Sequence, residues 1–590
     1  MKALTTYLTE LMGKAFEEAG FAASYGTVVR SNRPDLAQFQ CNGALAAAGS
    51  SQPRQNPRAL AQKVVEAIPN REIFAEVSLA GPGFINLSLT DAFLVAHVAA
   101  MAADERLGVP AVAEVTRTVL DYGGANVAKQ MHVGHLRAAI IGDSLRRIFT
   151  FLGEDVVGDI HLGDWGTQMG LLMNEIEREM PDLPYFDESF EGEYPAESPV
   201  SMADFAVLYP RASSRAKAEP EVQAAARETT LALQSGHKGY YALWRHIVEI
   251  SIEAIKADIE RLGVHFDLWL GESDAERFIE PMVAKLLTDG YATVSEGATI
   301  VEVAREDDKK EIPPLMLKKS DGAVLYGTTD LATIVQRIEE LEAKSILYVV
   351  DQRQSMHFEQ VFRGARVSGI AEGVNLEHLG FGTMNGPDGK PFKTRAGGVM
   401  TLNALMDMVY EKAEQRLAEV AAAADYDEEE RAAIAHMVSL AALKYADLMN
   451  QRQKDYVFDL ERFSAFEGHT GPYLLYTVVR TKSILRKAAE QGLEPGALQP
   501  AANEHDRNLM LVLAQFPDMV WLSYEQRLPS HIADYAYQLA GAYNQFYRAC
   551  HILNEEDGAR QAGWLGLVAY FLAVMEKCLF LLGIETPERM

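Results

Sequence analysis

The chain has 590 residues, 48% of them hydrophobic and 23% charged, an ordinary globular balance that excludes a disordered chain, a collagen and a disulfide scaffold. Its 55 Lys+Arg against 83 Asp+Glu leave a formal net charge of −28. That excludes a general nucleic-acid coat, since any RNA or DNA contact needs a local basic surface set against the global field.

The opening segment, MKALTTYLTELMGKAFEEAG, reads as an amphipathic helix with Leu4, Leu8, Leu11 and Phe16 along one face. It lacks the apolar core, roughly 7–15 residues long, of a signal peptide. Residues 1–112 read as a small α+β module, with two short strands around Gly81-Pro82-Gly83 and a closing helix before Pro110. From Val115 the pattern changes: TRTVLDYGG is a short strand running into glycines, AKQMHVGHLRAAIIGDSLRRIFTFLG a helix, and EDVVGDIHLGDWG a second strand. Strand–helix–strand of this length is a βαβ unit and implies a parallel sheet. Residues 181–220 are Pro- and charge-rich and read as an irregular insertion, followed by helices to about 262. The sheet is expected to return with ATIVEVA, GAVLYGT and SILYVVD. After the Gly- and Lys-containing stretch FGTMNGPDGKPFKTRAGG, residues 400–590 read as a helical bundle interrupted at 488–505. Cys41, Cys550 and Cys578 lie far apart, giving no CxxC and no zinc spacing; a reducing cytosol fits them. No run of about 18 apolar residues is found, so no membrane span is expected. The predicted fold is multidomain α/β, with a Rossmann-like parallel-sheet domain carrying helical insertions at 113–399, an α+β module before it and an all-α bundle after it.

His132-Val133-Gly134-His135 stands where strand turns into helix. The two imidazoles share one face of the first turn, and the helix's free N–H groups and positive dipole end point the same way. Gly134 lets a flat ring or a phosphate approach the backbone. This is a cradle for a nucleotide, stabilising charge on an α-phosphate without a covalent nucleophile. Alone, the motif also reads as two surface histidines.

Residues 121–137, DYGGANVAKQMHVGHLR, resemble the HIGH-signature region of class I aminoacyl-tRNA synthetases, and NVAKQMHVGHLR specifically resembles the arginyl-tRNA synthetases. GDIHLGDWGTQMG (158–170), YGTTDLAT (326–333), VVDQRQSMHFEQ (349–360), DGKPFKTRAGG (388–398) and the terminal GIETPERM resemble that family too, in the family's order and over nearly the whole chain. The resemblance implies two steps: ATP and L-arginine give arginyl-adenylate and pyrophosphate, and the terminal ribose of tRNA(Arg) then takes the arginyl group. ATP with Mg²⁺ is implied, with no resident metal site, and so are a monomer, a cytoplasmic location and no membrane. By resemblance, 1–112 is the added domain contacting the tRNA D-loop, 113–399 the catalytic domain and 400–590 the anticodon-binding domain.

The resemblance also implies roles for individual residues. His132, Gly134 and His135 would hold the ATP phosphates. The mobile second signature of the class, KMSKS, has its counterpart in Lys390-Pro391-Phe392-Lys393-Thr394-Arg395, where Thr394 stands at the usual second lysine. Lys393, Arg395 and Lys129 are the candidate cations for pyrophosphate. Asp330 would grip the guanidinium with Tyr326 beside it, Glu272 would assist, and Asn126 and Gln354 would orient the amino acid. A bidentate carboxylate satisfies a guanidinium and rejects uncharged analogues, by factors of roughly 10⁴–10⁵ where unpaired polar groups are the alternative. As plain structure, Asp330 could be a helix N-cap and Glu272 a surface-loop carboxylate. His161 and Asp164-Trp165-Gly166 are expected to line the same cleft.

The stretch 471–489 carries Arg480, Lys482, Arg486 and Lys487 with no Asp or Glu from Gly468 to Ala489. Tyr476 and Arg480 share a face, an aromatic beside a guanidinium as an unstacked RNA base requires. By resemblance Tyr547 and Met590 would lie near the anticodon loop, and Phe84 and Asn86 near the D-loop. Two rivals stand beside this reading. Cysteinyl-tRNA synthetases and small adenylate-forming ligases share the HIGH-type core, but the three scattered cysteines and the long C-terminal bundle argue against them. A catalytically silent tRNA-binding paralogue is opposed by intact HVGH, Lys393 and Asp330.

Overall fold

Four parallel strands run in the order Asn375–His378, Ser345–Tyr348, Arg117–Asp121, Asp155–Asp159. They belong to a computed structural model that describes residues 2–33, 36–320, 322–390, 392, 400–419 and 426–590. The chain divides into two units, Ala113–Ala465 and Met1–Val112 with Phe466–Met590.

In the first unit the strands are short and apolar because helices cover both faces of the sheet. Helix Val133–Leu152 follows the strand Arg117–Asp121, buries Leu136, Ile140, Ile141, Leu145, Ile148 and Phe149, and ends where Gly153 turns left-handed at φ 92°. Residues 400–465 pack in this unit rather than with the later helices. Buried Arg137 of the same helix explains part of this: its Nη1 donates to Gly382 O at 2.6 Å, and its Nε donates to Asp447 of helix Glu428–Leu448 at 2.9 Å. An interior guanidinium needs such partners.

Two expectations change. Residues 202–218 form a helix, not an irregular insert: Ser201 and Asp204 cap it reciprocally, and Arg211 and Arg215 reach buried Glu175 at 2.6 and 3.0 Å. Of the three expected returning strands, SILY joins the parallel sheet. ATIV pairs instead in a small antiparallel sheet of Ala292–Ser295, Ala298–Val301 and Leu315–Lys318. Glu296 and Gly297 take φ of 50° and 83°, the left-handed pair that a two-residue hairpin turn demands, and this reverses the chain locally. GAVLYGT contributes the bridge residue Val324 and then enters a helix at Tyr326.

In the second unit, Val28–Arg30, Phe39–Cys41, Phe84–Leu89 and Phe74–Ala80 form an antiparallel sheet in that order. The last two flank Gly81 and Gly83, whose φ values of 52° and 143° make the turn. This module packs directly on the C-terminal helices: Arg507 donates to Asp91 at 2.6 Å and Leu89 O at 2.7 Å, and Trp521 to Pro110 O at 3.2 Å. Helix Gly558–Leu581 is long and apolar enough to cross a membrane, with a mean hydropathy of 1.7 over its best 18 residues, 61% of that window being buried inside the protein. The sequence reading found no such run because Glu576 and Lys577 interrupt it. It serves here as a core helix, with Phe571 stacked on Tyr543 at 3.9 Å.

Candidate active site

Strand register, rather than closeness in sequence, builds the floor of the site. Asp159, Asp121, Tyr348 and His378 lie abreast at the carboxyl ends of the four strands. Connections leave in opposite directions on either side of the Asp121–Tyr348 pair, and an open α/β sheet binds ligands in the crevice at that point. Arg337 lies beneath, fully buried, its Nη2 donating to Asp121 and to Asp159 at 2.7 Å each. Burial pushes Asp159 up, but His161 and Arg337 outweigh it and hold the carboxyl at about 2. For Asp121 burial wins and its pKa is raised. Burial pushes His161 down; the Asp159 carboxylate, 3.6 Å from its Nδ1, more than offsets this and raises it.

The HVGH turn opens the helix as a reciprocal cap. Gly134 N–H donates to His132 Nδ1 and His132 N–H to His135 Nδ1, each at 3.0 Å, and the two rings stack at 3.9 Å. Both Nδ1 atoms accept, so both rings are neutral with the remaining proton on Nε2. Burial, then His132, then Lys129 hold His135 down at about 3; burial also lowers His132. The space above Gly134 is taken by His132 itself, since a Cβ there would stand 2.7 Å from His132 Cε1. Glycine is needed for the cap to close, not only for a ligand to approach. Met131 O accepts from Leu402 N–H at 2.9 Å and Val133 N–H donates to Met400 O at 3.2 Å, so the chain returning from the KMSKS-like stretch is fastened to this turn. Lys393 and Arg395 lie outside the described residues. Lys129 follows Ala128, which is left-handed at φ 60°. Its Nζ lies 4.5 Å from the centre of the Tyr209 ring and 3.4 Å from Gln168 Oε1. It lines a pocket of about 160 Å³ with Gln130, Met131, Asp258, Thr401 and Asn403. Asn126 Oδ1 is met by Gln168 Nε2 at 3.5 Å and would lie 2.3 Å from a Cβ at position 163, which only glycine avoids.

Tyr326 and Asp330 both stand on helix Tyr326–Leu341, as the sequence spacing predicts. Leu325 is the N-cap, so Asp330 is not. Tyr326 is exposed, with its hydroxyl 3.8 Å from where a Cβ of residue 166 would be. Glu272 is the first residue of helix Glu272–Thr288, not part of a surface loop. Burial, then Asp164 and Asp330, push its carboxyl up to about 7 against the pull of His161. Asp164 accepts from Ser273 N–H at 3.0 Å and Ser273 Oγ at 2.6 Å, and Trp165 donates to Glu276 at 3.1 Å, which hold this wall. Gln354 is exposed in the turn Gln352–Gln354. Sequence reasoning missed His357, whose Nε2 meets Asp330 Oδ2, and the Arg337 cluster. The His in MHFEQ was the available signal. Among the described residues no group of three or more His, Cys, Asp or Glu is placed to hold a metal ion.

The second unit carries the basic helix Gly471–Glu490. Arg480 lies over the ring of Tyr547 at 4.2 Å, rather than against Tyr476, which is exposed. Lys482 is neutralised by Glu576 at 2.9 Å and Glu588 at 2.7 Å. Met590 is buried, and Asn86 is buried and accepts from Gln40 Nε2 at 2.9 Å. Phe84 is half-buried on the strand Phe84–Leu89.

Residues 97–460 match the family described as tRNA synthetases class I (R), catalytic domain; residues 2–89 match the arginyl tRNA synthetase N terminal domain, and 474–590 the DALR anticodon binding domain. The arginine–tRNA ligase of Alkaliphilus oremlandii is 48% identical over 592 residues, covering 100% of both chains. That of Maricaulis maris is 48% identical over 591 residues, again with 100% of both covered. The crystal structure of arginyl-tRNA synthetase from Plasmodium falciparum has the same fold, with a TM-score of 0.83 at 24% identity over 100% of both chains.

Proposed function

The chain belongs to the class I arginyl-tRNA synthetase family, and on that premise we propose how its residues divide the family's reaction. It is an arginine–tRNA ligase: the carboxylate of L-arginine attacks the α-phosphorus of ATP, pyrophosphate leaves, and the terminal ribose hydroxyl of tRNA(Arg) then displaces AMP from arginyl-adenylate.

His132 and His135 act as neutral donors. Their Nε2–H groups, beside the positive helix end, stabilise the charge that grows on the α-phosphate. A neutral imidazole donates without a proton having to leave, so positioning and charge stabilisation suffice. Lys129 draws the leaving pyrophosphate, with Lys393 and Arg395 as its partners. Mg²⁺ comes with the nucleotide, held mainly by phosphate oxygens, as is usual for this hard ion. Asp330 and Glu272 take the guanidinium, Tyr326 covers it, and Asn126 and Gln354 orient the α-amino and carboxylate groups. The observation that carries this is that Asp164 and Asp330 both lie close enough to Glu272 to push its carboxyl up, so three carboxyl groups gather there. Such a cluster favours a cationic side chain over any neutral one.

On the tRNA side Arg480, Tyr547 and Tyr476 meet the anticodon loop and Phe84 the D-loop, while buried Met590 and Asn86 hold these surfaces in place. The enzyme works as a cytoplasmic monomer; the free, buried state of all three cysteines suits a reducing compartment. Arginine-dependent ATP–pyrophosphate exchange, with and without tRNA and across the twenty amino acids, tests the scheme. Exchange with arginine alone among the amino acids supports the pocket; exchange with another overturns it. A folded chain with no exchange favours the silent RNA-binding paralogue.

A further inference from the structure

Asp330 already has a partner. His357, on helix Ser355–Val367, directs Nε2 at Asp330 Oδ2. The two side chains are 31% and 28% exposed, so a ligand from solvent can reach both. A guanidinium presents N–H donors to a carboxylate; the imidazole presents the same kind of donor to the same oxygen. A substrate cation entering here therefore meets a group that is itself cationic when protonated. We propose that His357 stands in for the substrate guanidinium: as imidazolium it holds Asp330 in the empty pocket, and it gives up its proton when arginine binds, so that arginine capture releases a proton. This rests on the assignment of Asp330 to the guanidinium.

The charged surroundings are mixed. Asp330 faces the imidazole from its helix. His378 acts on the imidazole from its strand end, while Tyr348 and Glu272 act on its partner Asp330. His378 rests on Phe358 at 4.8 Å with its Nε2 on Val350 O; burial, Arg452 and His357 lower it, with Asp351 opposing. Asp351 is taken by Arg353, at 2.9 and 2.6 Å. Asp330 thus dominates at His357: its hydrogen bond raises the imidazole above the ordinary value, burial opposing.

The sign follows from linkage. A proton held in the empty pocket and lost on binding makes arginine bind more tightly as pH rises. The dependence runs from the lower pKa of the arginine-bound form up to the raised pKa of the empty form and is flat outside that window. One released proton gives a slope of up to about tenfold in Kd per pH unit. Glu272 is a second source, since its carboxyl, pushed up to about 7, also releases a proton to solvent when a cation binds beside it.

The test is calorimetric titration of the full chain with L-arginine between about pH 6 and 8, in two buffers of different ionisation heat, which counts the protons released. The parent, His357→Gln, Glu272→Gln and Asp330→Asn are compared. Expected is fewer protons released and a shallower pH slope in His357→Gln, with arginine still bound, and a remaining release in Glu272→Gln that a variant carrying both His357→Gln and Glu272→Gln loses. His357→Gln releasing as many protons as the parent overturns the proposal while leaving the pocket intact. Asp330→Asn binding arginine as tightly as the parent overturns the pocket assignment, and the proposal with it. If His357→Gln fails to fold, imidazole resonances of the parent with and without arginine decide. One histidine passing from charged to neutral on saturation supports the linkage, and none doing so overturns it.

Discussion

Arg137 and Asp447 lie 310 residues apart and form an ion pair at 2.9 Å, with side chains 2% and 0% exposed. The pair joins the HVGH helix to helix Glu428–Leu448, so the HVGH turn is anchored from behind by a segment far along the chain. Tyr456 and Phe381 add ring faces 5.2 and 5.8 Å from the guanidinium. Removing one partner leaves the other charge buried and alone, which costs roughly 3–5 kcal/mol. Asp447→Ala and Arg137→Ala are each expected to lower unfolding stability by about that amount in a denaturant titration. The double variant should lose much less than the sum, because each single change already removes the pairing.

On the proposed scheme Lys129 and His135 serve the same phosphates by different means. His135 carries no charge, being held at about 3, whereas Lys129 brings a full charge from its position near Gln168. Removing one preorganised donor of this kind costs about 10²–10³ in rate. Lys129→Ala and His135→Ala are therefore each expected to cut arginine-dependent exchange by about that factor, with tRNA affinity nearly unchanged. An unchanged activation rate in Lys129→Ala would show that the pyrophosphate is held by other cations. The pH profile adds a second reading. Since His135 stays neutral, no loss of activity between about pH 8 and 6 should trace to it, so His135→Asn leaves the shape of the profile as it is.

The helix start at HVGH and the shared helix of Tyr326 and Asp330 were legible in the sequence because both are local. Three- and four-residue spacings on a helix place side chains without reference to the rest of the fold. The floor of the site was not. Arg337 meets Asp159 across 178 residues, and His357 meets Asp330 across 27, contacts that depend on strand order and register. The antiparallel hairpin was misread for a related reason. ATIV is apolar enough for a parallel strand, and only the left-handed Glu296-Gly297 turn pairs it with its neighbour instead. Lys482 shows the limit of counting charges along one helix: its acidic partners, Glu576 and Glu588, come from a later helix and the C-terminal tail.

Glu272 stores an electrostatic cost in the empty site. Its carboxyl is pushed up to about 7, so below that pH it is protonated in the folded protein while the unfolded chain has already ionised it. Between the ordinary glutamate value and about 7 the folded state binds more protons, so this group's contribution to stability falls as pH rises. Glu272→Gln is then expected to be more stable than the parent above pH 7, by at least about 1 kcal/mol, and no more stable near pH 4. Arginine should reverse the ranking, stabilising the parent more than the variant, which thermal unfolding with and without arginine at each pH reads directly.

Arg480 meets an aromatic ring where Lys482 meets carboxylates. The Arg480 guanidinium is stacked on Tyr547 at 4.2 Å, which keeps a flat, charged surface ready for a base. Lys482 instead ties the helix to Glu576 and to the tail at Glu588 and Pro587. Stacking on such a platform is worth about 1–3 kcal/mol per base. Arg480→Ala should therefore weaken tRNA binding by roughly 5–150-fold and lessen its dependence on salt. Tyr547→Ala should do the same with little change in the salt slope, because it removes the platform and leaves the charge. On the proposed scheme the two act on one base, so the double variant should bind little worse than Arg480→Ala. Lys482→Ala should show mainly as lost stability, through the loosened C-terminal tail. Filter-binding or anisotropy titrations across a salt series separate these outcomes. A salt slope unmoved by Arg480→Ala would place the anticodon loop elsewhere on the bundle.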